Sequence, residues 1–295
     1  NGRWRLAPCD PVTHSSRQYL GDTLVLETTW VTASGRARVL DFMPLGEVNS
    51  VVRIVEGLSG ETHFEMDLVM RFDYGRSVPW VERLDPLTLS AVAGPDRLIL
   101  CSTVPPQARD HHTGCRFRVS TGQRQVFSLR HQPSHLPMQP DCEIDEALAN
   151  TREQWQAFAD RCPQVGPYSA LVRRSLLTLK AMTYAPTGGM VAAVTTSLPE
   201  RVGGERNWDY RFCWLRDATM TLLAFMNLGY FDEAQAWREW LLRSVAGNPE
   251  QMQIMYGLAG ERDLQEYTLP WLAGYEHSQP VRVGNAASAE LRPDA

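Results

Sequence analysis

The stretch from Asn207 to Asp217 holds the side chains best suited to chemistry in this 295-residue chain. It reads Asn-Trp-Asp-Tyr-Arg-Phe-Cys-Trp-Leu-Arg-Asp, so aromatic rings are interleaved with acidic and guanidinium groups. Rings such as those of Tyr210 and Trp214 stack on the flat face of a sugar, and an Arg216–Asp217 pair can hydrogen-bond neighbouring hydroxyls. The stretch therefore predicts a subsite for a pyranose.

The flanking sequence places this stretch at a junction between a loop and a helix. Gly203 and Gly204 upstream disfavour a regular element, whereas Leu222 and Phe225 downstream belong to an apolar helical face. A helix beginning near Trp214 puts Asp217 in its first turn. One structural alternative stays open, because an acid there is stabilised by the helix dipole and the stretch would then be a helix cap with aromatic packing.

The same residues carry a resemblance to a known family. The stretch resembles the first active-site loop of glycoside hydrolase family 15, the inverting glucoamylases and bacterial trehalases, which carry a similar Asn-x-Asp-Tyr, x-x-x-Trp, x-Arg-Asp string. The resemblance implies that Tyr210 stacks against the sugar in the cleavage subsite, that Arg216 and Asp217 hold its hydroxyls, and that Trp214 backs them. It also implies an α-linked glucoside, an oligosaccharide or trehalose, as the binding partner.

Two further segments resemble loops of this family. Residues 188–200 resemble the loop that leads to the string, and residues 253–285 resemble the second barrel loop. By that resemblance Arg282 aligns with a sugar-contacting arginine, and Trp271 or Tyr275 would wall the leaving-group subsite. An ordinary loop between helices, rich in turn residues, remains the alternative for any one of these positions.

The tail after Asn285 departs from the family pattern. Glu290 and Arg292 stand where the family tends to have glutamines, which predicts a divergent or non-native end.

The two carboxyl groups that an inverting glycosidase needs, about 6.5–9.5 Å apart, are not identified in the chain. In family 15 both are glutamates beyond the stretch that ends at Ala295, so the chain is expected to be an inactive piece of a longer protein. Four local acids match no family motif and are expected in solvated or arginine-paired roles: Glu200, Glu205, Glu261 and Glu266. No catalytic residue is assigned. The second hypothesis is a non-catalytic carbohydrate-binding or interaction protein.

The composition of the chain limits the classes of binding partner that are expected. The chain is 43% hydrophobic and 21% charged with a formal net charge of -5, which gives no footprint for nucleic acid or anionic lipid. No apolar run approaches the roughly 20 residues needed to span a bilayer. We expect no cofactor, no nucleic acid and no membrane partner, while the oligomeric state is not predicted.

Cysteine and histidine spacing predicts neither a disulfide framework nor a metal site. Scattered cysteines without CxxC pairs indicate reduced, buried thiols in a cytoplasmic protein; they are Cys9, Cys101, Cys115, Cys142, Cys162 and Cys213. The His111–His112 pair and His131 with His135 lack a third ligand at suitable spacing.

The first half of the sequence predicts short antiparallel strands. A hairpin is expected from Leu24 to Met43 with its turn at 33–35, and residues 63–72 alternate strictly between apolar and polar side chains. Further strands are expected at 87–93, 98–104, 115–119 and 126–129. Because they recur with Gly-Pro, Pro-Pro and Thr-Gly turns, they indicate a β-sandwich, and the family resemblance implies the same fold with its opening strands missing and a sheet edge unpaired.

The second half predicts helices and long loops. Apolar residues at helical spacing indicate helices over about 144–160, 168–184 and 232–246. The predicted fold class is therefore multi-domain, β then α. An antiparallel β-sandwich at 1–140 and a connecting helix at 141–166 precede residues 167–295, which the resemblance makes the first part of an (α/α)6 barrel.

Overall fold

The computed structural model describes residues 2–46, 49–139, 143–164, 166–245, 247 and 251–289. The predictions made for Cys142, Glu290 and Arg292 lie outside the described residues. The chain divides into two compact units, Asn1–Ala157 and Phe158–Ala295. The domain bounds at 140 and 166 remain predictions.

The first unit is built from eleven antiparallel strands. In chain order they are β1 Arg3–Pro8, β2 Val12–Tyr19, β3 Leu26–Thr32, β4 Gly35–Phe42, β5 Asn49–Val69, β6 Trp80–Asp85, β7 Thr88–Ala93, β8 Asp96–Ser102, β9 Gln107–Arg109, β10 His112–Ser120 and β11 Arg124–Pro133.

The long strand β5 belongs to two layers of sheet. Its first half lies between β4 and β11 in the order β2-β3-β4-β5-β11-β8-β7-β6, and its second half pairs with β1 and β10. Phe64 and Met66 from the second half share one core with Val55 from the first half and with Leu100 of β8. The two layers therefore enclose a sandwich core, and the predicted antiparallel β architecture is confirmed.

The larger layer is buried on both faces, which explains its continuous apolar strands. In β4, Val39 enters the sandwich core, whereas Leu40 and Phe42 belong to a second cluster on the other face. Helix α1, Ile144–Asp160, contributes Ile144 and Leu148 to that second cluster. The connecting helix was predicted from its spacing with the same bounds.

Both ends of the larger layer are solvated edges. Strand β2 and strand β6 are exposed along their whole length. The mostly polar side chains of β2 discourage pairing with other chains, whereas β6 exposes Trp80, Val81 and Leu84. The predicted hairpin is confirmed as the β3–β4 pair, and residues 63–69 of the alternating segment form the end of β5, whereas residues 70–72 lie beyond that strand.

The second unit contains helices joined by long irregular loops. They are α2 Ser169–Ala181, α3 Leu215–Asn227 and α4 Phe231–Ser244. Helix α2 ends before the predicted bound, because Thr183–Tyr184 forms a two-residue ladder with Gly189–Met190 instead. The β-then-α order is confirmed, and the described helices are too short or too polar to cross a membrane.

The five cysteines among the described residues are free thiols, but not all are buried as predicted. Cys9 is exposed, whereas Cys162 and Cys213 are buried. Burial raises the pKa of the Cys115 thiol to about 11. The cytoplasmic location remains a prediction. Among the histidines considered as ligands, His131 lies 2.8 Å from an Asp96 carboxylate oxygen.

A buried carboxylate ties the start of α4 to α2 and to the end of α1. Glu233 is 5% exposed and lies 3.3 Å from Lys180 Nζ and 3.4 Å from Arg161 Nη2. The Arg161 guanidinium lies 4.5 Å from the ring centroid of Tyr230, whose hydroxyl donates to Phe158 O at 2.8 Å. Burial raises the pKa of that phenol to about 12, so it stays a donor at neutral pH.

Glu233→Gln should destabilise the helical unit by about 1–3 kcal/mol, because it leaves two cations facing a neutral amide. This is below the roughly 3–5 kcal/mol of a fully buried pair, since Lys180 and Arg161 are 35% and 41% exposed. Urea unfolding followed by the helical circular-dichroism signal measures it. Asp232→Asn is the matched control: this neighbour is 90% exposed, so its loss should cost less than about 0.5 kcal/mol. Equal effects would contradict the role of Glu233.

Candidate functional site

The loop that precedes the Asn207–Asp217 string folds back along it. Residues 192–197 run antiparallel to the string, with the Ala193 amide donating to Tyr210 O at 3.0 Å and the Tyr210 amide donating to Thr195 O at 3.3 Å. Backbone pairing of this kind fixes the path of both segments without a regular sheet. The two segments singled out from the sequence therefore form one structural unit.

The carboxylate of Asp209 joins the string to the 282–285 segment. It is fully buried and accepts from Arg211 Nε at 2.9 Å, from Arg211 Nη2 at 2.8 Å and from the Gly284 amide at 3.2 Å. The amide side chain of Asn285 donates to Asp209 O at 3.2 Å. A buried charge is costly unless it is paired and fully hydrogen-bonded, so this arrangement locks two segments that are far apart in sequence.

Only glycine fits at position 284. Its φ of +79° lies in the left-handed region, and a Cβ there would stand 2.0 Å from Gln265 O. The absence of a side chain is what allows the amide to approach the Asp209 carboxylate.

The backbone of Arg282 is held by two hydroxyls of the preceding loop. Thr196 Oγ1 donates to Arg282 O at 2.6 Å, and Ser197 Oγ donates to the same oxygen at 2.9 Å. Ser197 Oγ also accepts from the Arg282 amide at 2.7 Å. Ser197 has a φ of +59°, an uncommon conformation for a residue with a side chain.

The guanidinium of Arg282 is immobilised as well. Nε lies 3.2 Å from Glu266 Oε1, Nη1 donates to Glu205 O at 2.8 Å and to Asn207 O at 3.4 Å, and the group stacks 4.5 Å from the Trp208 ring centroid. Among the described residues Nη2 has no hydrogen-bond partner. The side chain is 15% exposed. One end of the guanidinium fork therefore anchors the arginine and the other end is available.

Trp214 lies where the string enters α3. Cys213–Trp214 pairs with Met255–Tyr256 in a short antiparallel ladder, and burial raises the pKa of the Cys213 thiol to about 12. The indole Nε1 of Trp214 is buried without a hydrogen-bond partner in the part of the chain that the structure describes. A buried donor of this kind is expected to have an acceptor in the working protein.

Arg216 and Asp217 lie side by side in the first turn of α3. Arg216 Nη2 donates to Asp217 Oδ2 at 3.1 Å, and the two side chains are 65% and 40% exposed. No side chain caps the helix at Trp214. The Arg216 guanidinium lies 5.5 Å from the Trp214 ring centroid. The pair therefore faces solvent, beside an aromatic ring, and its carboxylate contacts an arginine where a cap would contact backbone amides.

The other residues predicted to bind the sugar are Tyr210, Trp271 and Tyr275. Tyr210 is half-buried, whereas Trp271 and Tyr275 are 41% and 56% exposed in the loop that precedes Arg282. That loop is tied to the glycines before the string by the Gly203 amide, which donates to Ser278 Oγ at 2.8 Å. The structure thus brings Arg282 directly onto the string, while a wall formed by Trp271 or Tyr275 stays a prediction.

The local acids have partners of their own. Glu200 pairs with a neighbouring arginine at 3.0 Å, and Glu266 pairs with Arg282. Glu261 accepts a backbone N–H of its own turn at 3.0 Å, and the Glu205 side chain is exposed. Carboxylates engaged in this way are poor candidates for proton transfer.

Sequence reasoning left the supporting residues without roles. Asn207 and Asp209 are both fully buried, and Asn207 Nδ2 donates to Gly204 O at 3.1 Å and to Pro280 O at 3.2 Å. Their signal was present in the string itself, as polar residues spaced between aromatics. Their long-range partners, Pro280 and Gly284, lie some 75 residues away, and no local pattern identifies them.

Comparisons with known proteins find trehalases that are similar along the length of this chain. The chain is 34% identical over 99% of its length to the trehalase of Mycobacterium tuberculosis, covering 48% of that protein. It is 30% identical to trehalase 1 of Sulfolobus acidocaldarius and 29% identical to the trehalase of Thermoplasma volcanium, again over 99% of this chain, covering 50% and 48% of those proteins. The chain spans about half the length of the relatives it matches.

A solved structure, a putative kojibiose phosphorylase from the human microbiome, matches with a TM-score of 0.44 and 10% identity over 88% of this chain and 42% of that one. The family model for glycosyl hydrolases family 15 matches residues 166–295. This region contains the string, the loop before it and Arg282. Through residues 166–295 the chain therefore belongs to glycosyl hydrolases family 15, as the resemblance of its string predicted.

Proposed function

We propose that the full-length protein is a glycoside hydrolase that releases glucose from the non-reducing end of an α-glucoside, with trehalose as its substrate. The observation that carries the proposal is the exposed Arg216–Asp217 pair beside Trp214, on a string that is bound to the anchored Arg282. This set offers an aromatic surface together with donors and an acceptor, which is what recognition of a pyranose requires.

The choice of trehalose rests on the relatives. All three that are described above are named trehalases, whereas the string alone fits glucoamylase and trehalase equally, because both bind a non-reducing glucose. A free disaccharide would present its hydroxyls to Arg216, Asp217 and Arg282 in turn.

The chemistry requires two carboxyl groups, and we infer that neither is among the described glutamates near the site. An inverting glycosidase protonates the leaving oxygen with one acid and activates water with a second carboxylate, about 6.5–9.5 Å away. The local glutamates are engaged or exposed. For the 295 residues alone, this favours the second hypothesis, a carbohydrate-binding part with no proton transfer of its own.

The full-length protein should initially release β-glucose and α-glucose from trehalose in equal amounts. Inversion at the attacked carbon converts one α-linkage to the β-anomer, while the leaving glucose keeps its configuration. Proton NMR within the first seconds of turnover distinguishes the anomers. Release of α-glucose alone would exclude inversion, and no release from trehalose with release from maltose would move the substrate to α-1,4-glucans.

The 295-residue chain should bind trehalose without cleaving it. A subsite lacking its general acid and base loses a factor of about 100 to 10,000 for each group. Calorimetry measures the binding, and a glucose assay measures turnover, with Arg216→Ala as the binding control. Turnover by the purified chain that this substitution abolishes would contradict the proposal.

Asp217→Asn should lower kcat/KM of the full-length enzyme by about ten- to a hundredfold, because the neutral amide weakens a charge-assisted contact of roughly 1.5–3 kcal/mol. Arg216→Lys should also lower it, since an ammonium cannot reproduce the planar fork that spans neighbouring hydroxyls. The melting temperature should hardly move, because Asn serves a helix start about as well as Asp.

Asp232→Asn is the matched control for Asp217→Asn, since both acids lie in the first turn of a helix. It should leave kcat/KM unchanged. If Asp217→Asn lowered both the activity and the melting temperature, the result would favour a helix-capping role for the string.

A further inference from the structure

Glu266 contacts Arg282 and Ala286, and neither contact could be predicted from the neighbouring sequence. One carboxylate oxygen, Oε1, lies 3.2 Å from Arg282 Nε, and the other, Oε2, accepts from the Ala286 amide at 3.2 Å. Its side chain is 20% exposed. The backbone on either side is fixed too, since Tyr267–Thr268 pairs with Arg282–Val283 in a short ladder. Both oxygens are thus committed within the segment that carries Arg282.

The contact between Glu266 and Arg282 determines which nitrogen of the Arg282 guanidinium is free. Nε is held by Glu266 and Nη1 by the carbonyls of Glu205 and Asn207, at 2.8 and 3.4 Å. The fork is planar, so fixing two of its nitrogens fixes the direction of the third. Nη2 is the nitrogen without a partner among the described residues, and its N–H donors therefore have one set orientation.

The carbonyl contacts alone would leave that orientation loose. Carbonyls of Glu205 and Asn207 both meet Nη1, so they restrain one point, about which the group can swing. Glu266 supplies the second point and its negative charge offsets the desolvation of a cation that is 15% exposed. Trp208 limits movement out of the plane but not within it.

We infer that Glu266 is a positioning residue, which orients Arg282 so that Nη2 meets a hydroxyl of the bound glucoside. It does not touch the sugar itself. The inference rests on the proposed function, because it gives Arg282 its ligand. Partners that orient a ligand-binding side chain are worth about 10- to 100-fold in affinity at metal sites, and a similar size is expected here.

Glu266→Ala in the full-length enzyme should raise KM for trehalose about tenfold with kcat within about twofold, because Arg282 would bind ground state and transition state alike. Glu266→Gln should give a smaller rise, since its side-chain oxygen can still face Nε, while the negative charge and the bond to the Ala286 amide are lost. Asp263→Asn, an exposed acid of the same segment, is the control and should leave both constants unchanged.

A double-mutant cycle separates positioning from plain stability. In an Arg282→Ala background Glu266→Gln should have no further effect on KM, whereas a structural role would add its full cost. Additive effects, or an unchanged KM in both Glu266 variants, would overturn the inference. If Arg282→Ala itself leaves KM unchanged, the role of Arg282 in the proposed function fails instead.

A readout on the isolated chain is independent of turnover. The Nε–H proton resonance of Arg282, assigned by its loss in Arg282→Lys, should be protected from solvent exchange in the wild type and exposed in Glu266→Ala. Equal protection in both would show that the carbonyls and Trp208 hold the guanidinium without Glu266, and would also overturn the inference.

Discussion

The buried negative charge of Asp209 is the constraint on which the site depends. It has no access to solvent, so the donors around it have to be supplied by the protein, and they come from its near neighbour Arg211 and from Gly284 across the loop. Removing either donor leaves a carboxylate in a place where it cannot be hydrated. The string and the 282–285 segment are therefore fixed relative to each other by the hydrogen bonds and the ion pair of this carboxylate.

This explains how long loops hold a defined site. The segments around the string have few regular elements, and the apolar cluster of Leu269, Val281 and Val283 beside them is small. Order comes from side chains that bond to backbone, as Ser197 does with Arg282 and Asn207 with Pro280. Each such bond contributes only about 0.5–1.5 kcal/mol, and it is their convergence on two short segments that restricts the geometry.

The sequence predicted what local patterns encode. The helical spacing of apolar residues predicted both ends of α1. The alternation of apolar and polar residues before Val69 predicted the second half of β5. The first half of β5 was missed because Val51–Val52 and Ile54–Val55 are adjacent apolar pairs in a layer packed on both faces, without alternation. Strand β2 was missed as a patterned strand because it is exposed throughout.

In the site, the string could be identified from the sequence because its residues are contiguous. The residues that hold it in place could not be identified in this way. Glu266 meets Arg282 across a turn, and Asp209 meets Gly284 some 75 residues later. Neither contact follows from spacing, since both depend on how the loop between them closes. Sequence alone also does not show whether Asp217 caps the helix. In the structure its carboxylate contacts Arg216, and the start of α3 has no side-chain cap.

The two arginines of the site differ in what ligand binding costs them. Arg216 is 65% exposed, so holding a sugar hydroxyl fixes a side chain that carries up to about 2 kcal/mol of rotamer entropy. Arg282 is already fixed at Nε and Nη1, and its entropy was lost during folding. A contact from its free nitrogen is therefore made at little further expense. In the proposed function, pre-organised binding by Arg282 and adaptable binding by Arg216 would be complementary, because the first would set the position of the sugar and the second would adjust to it.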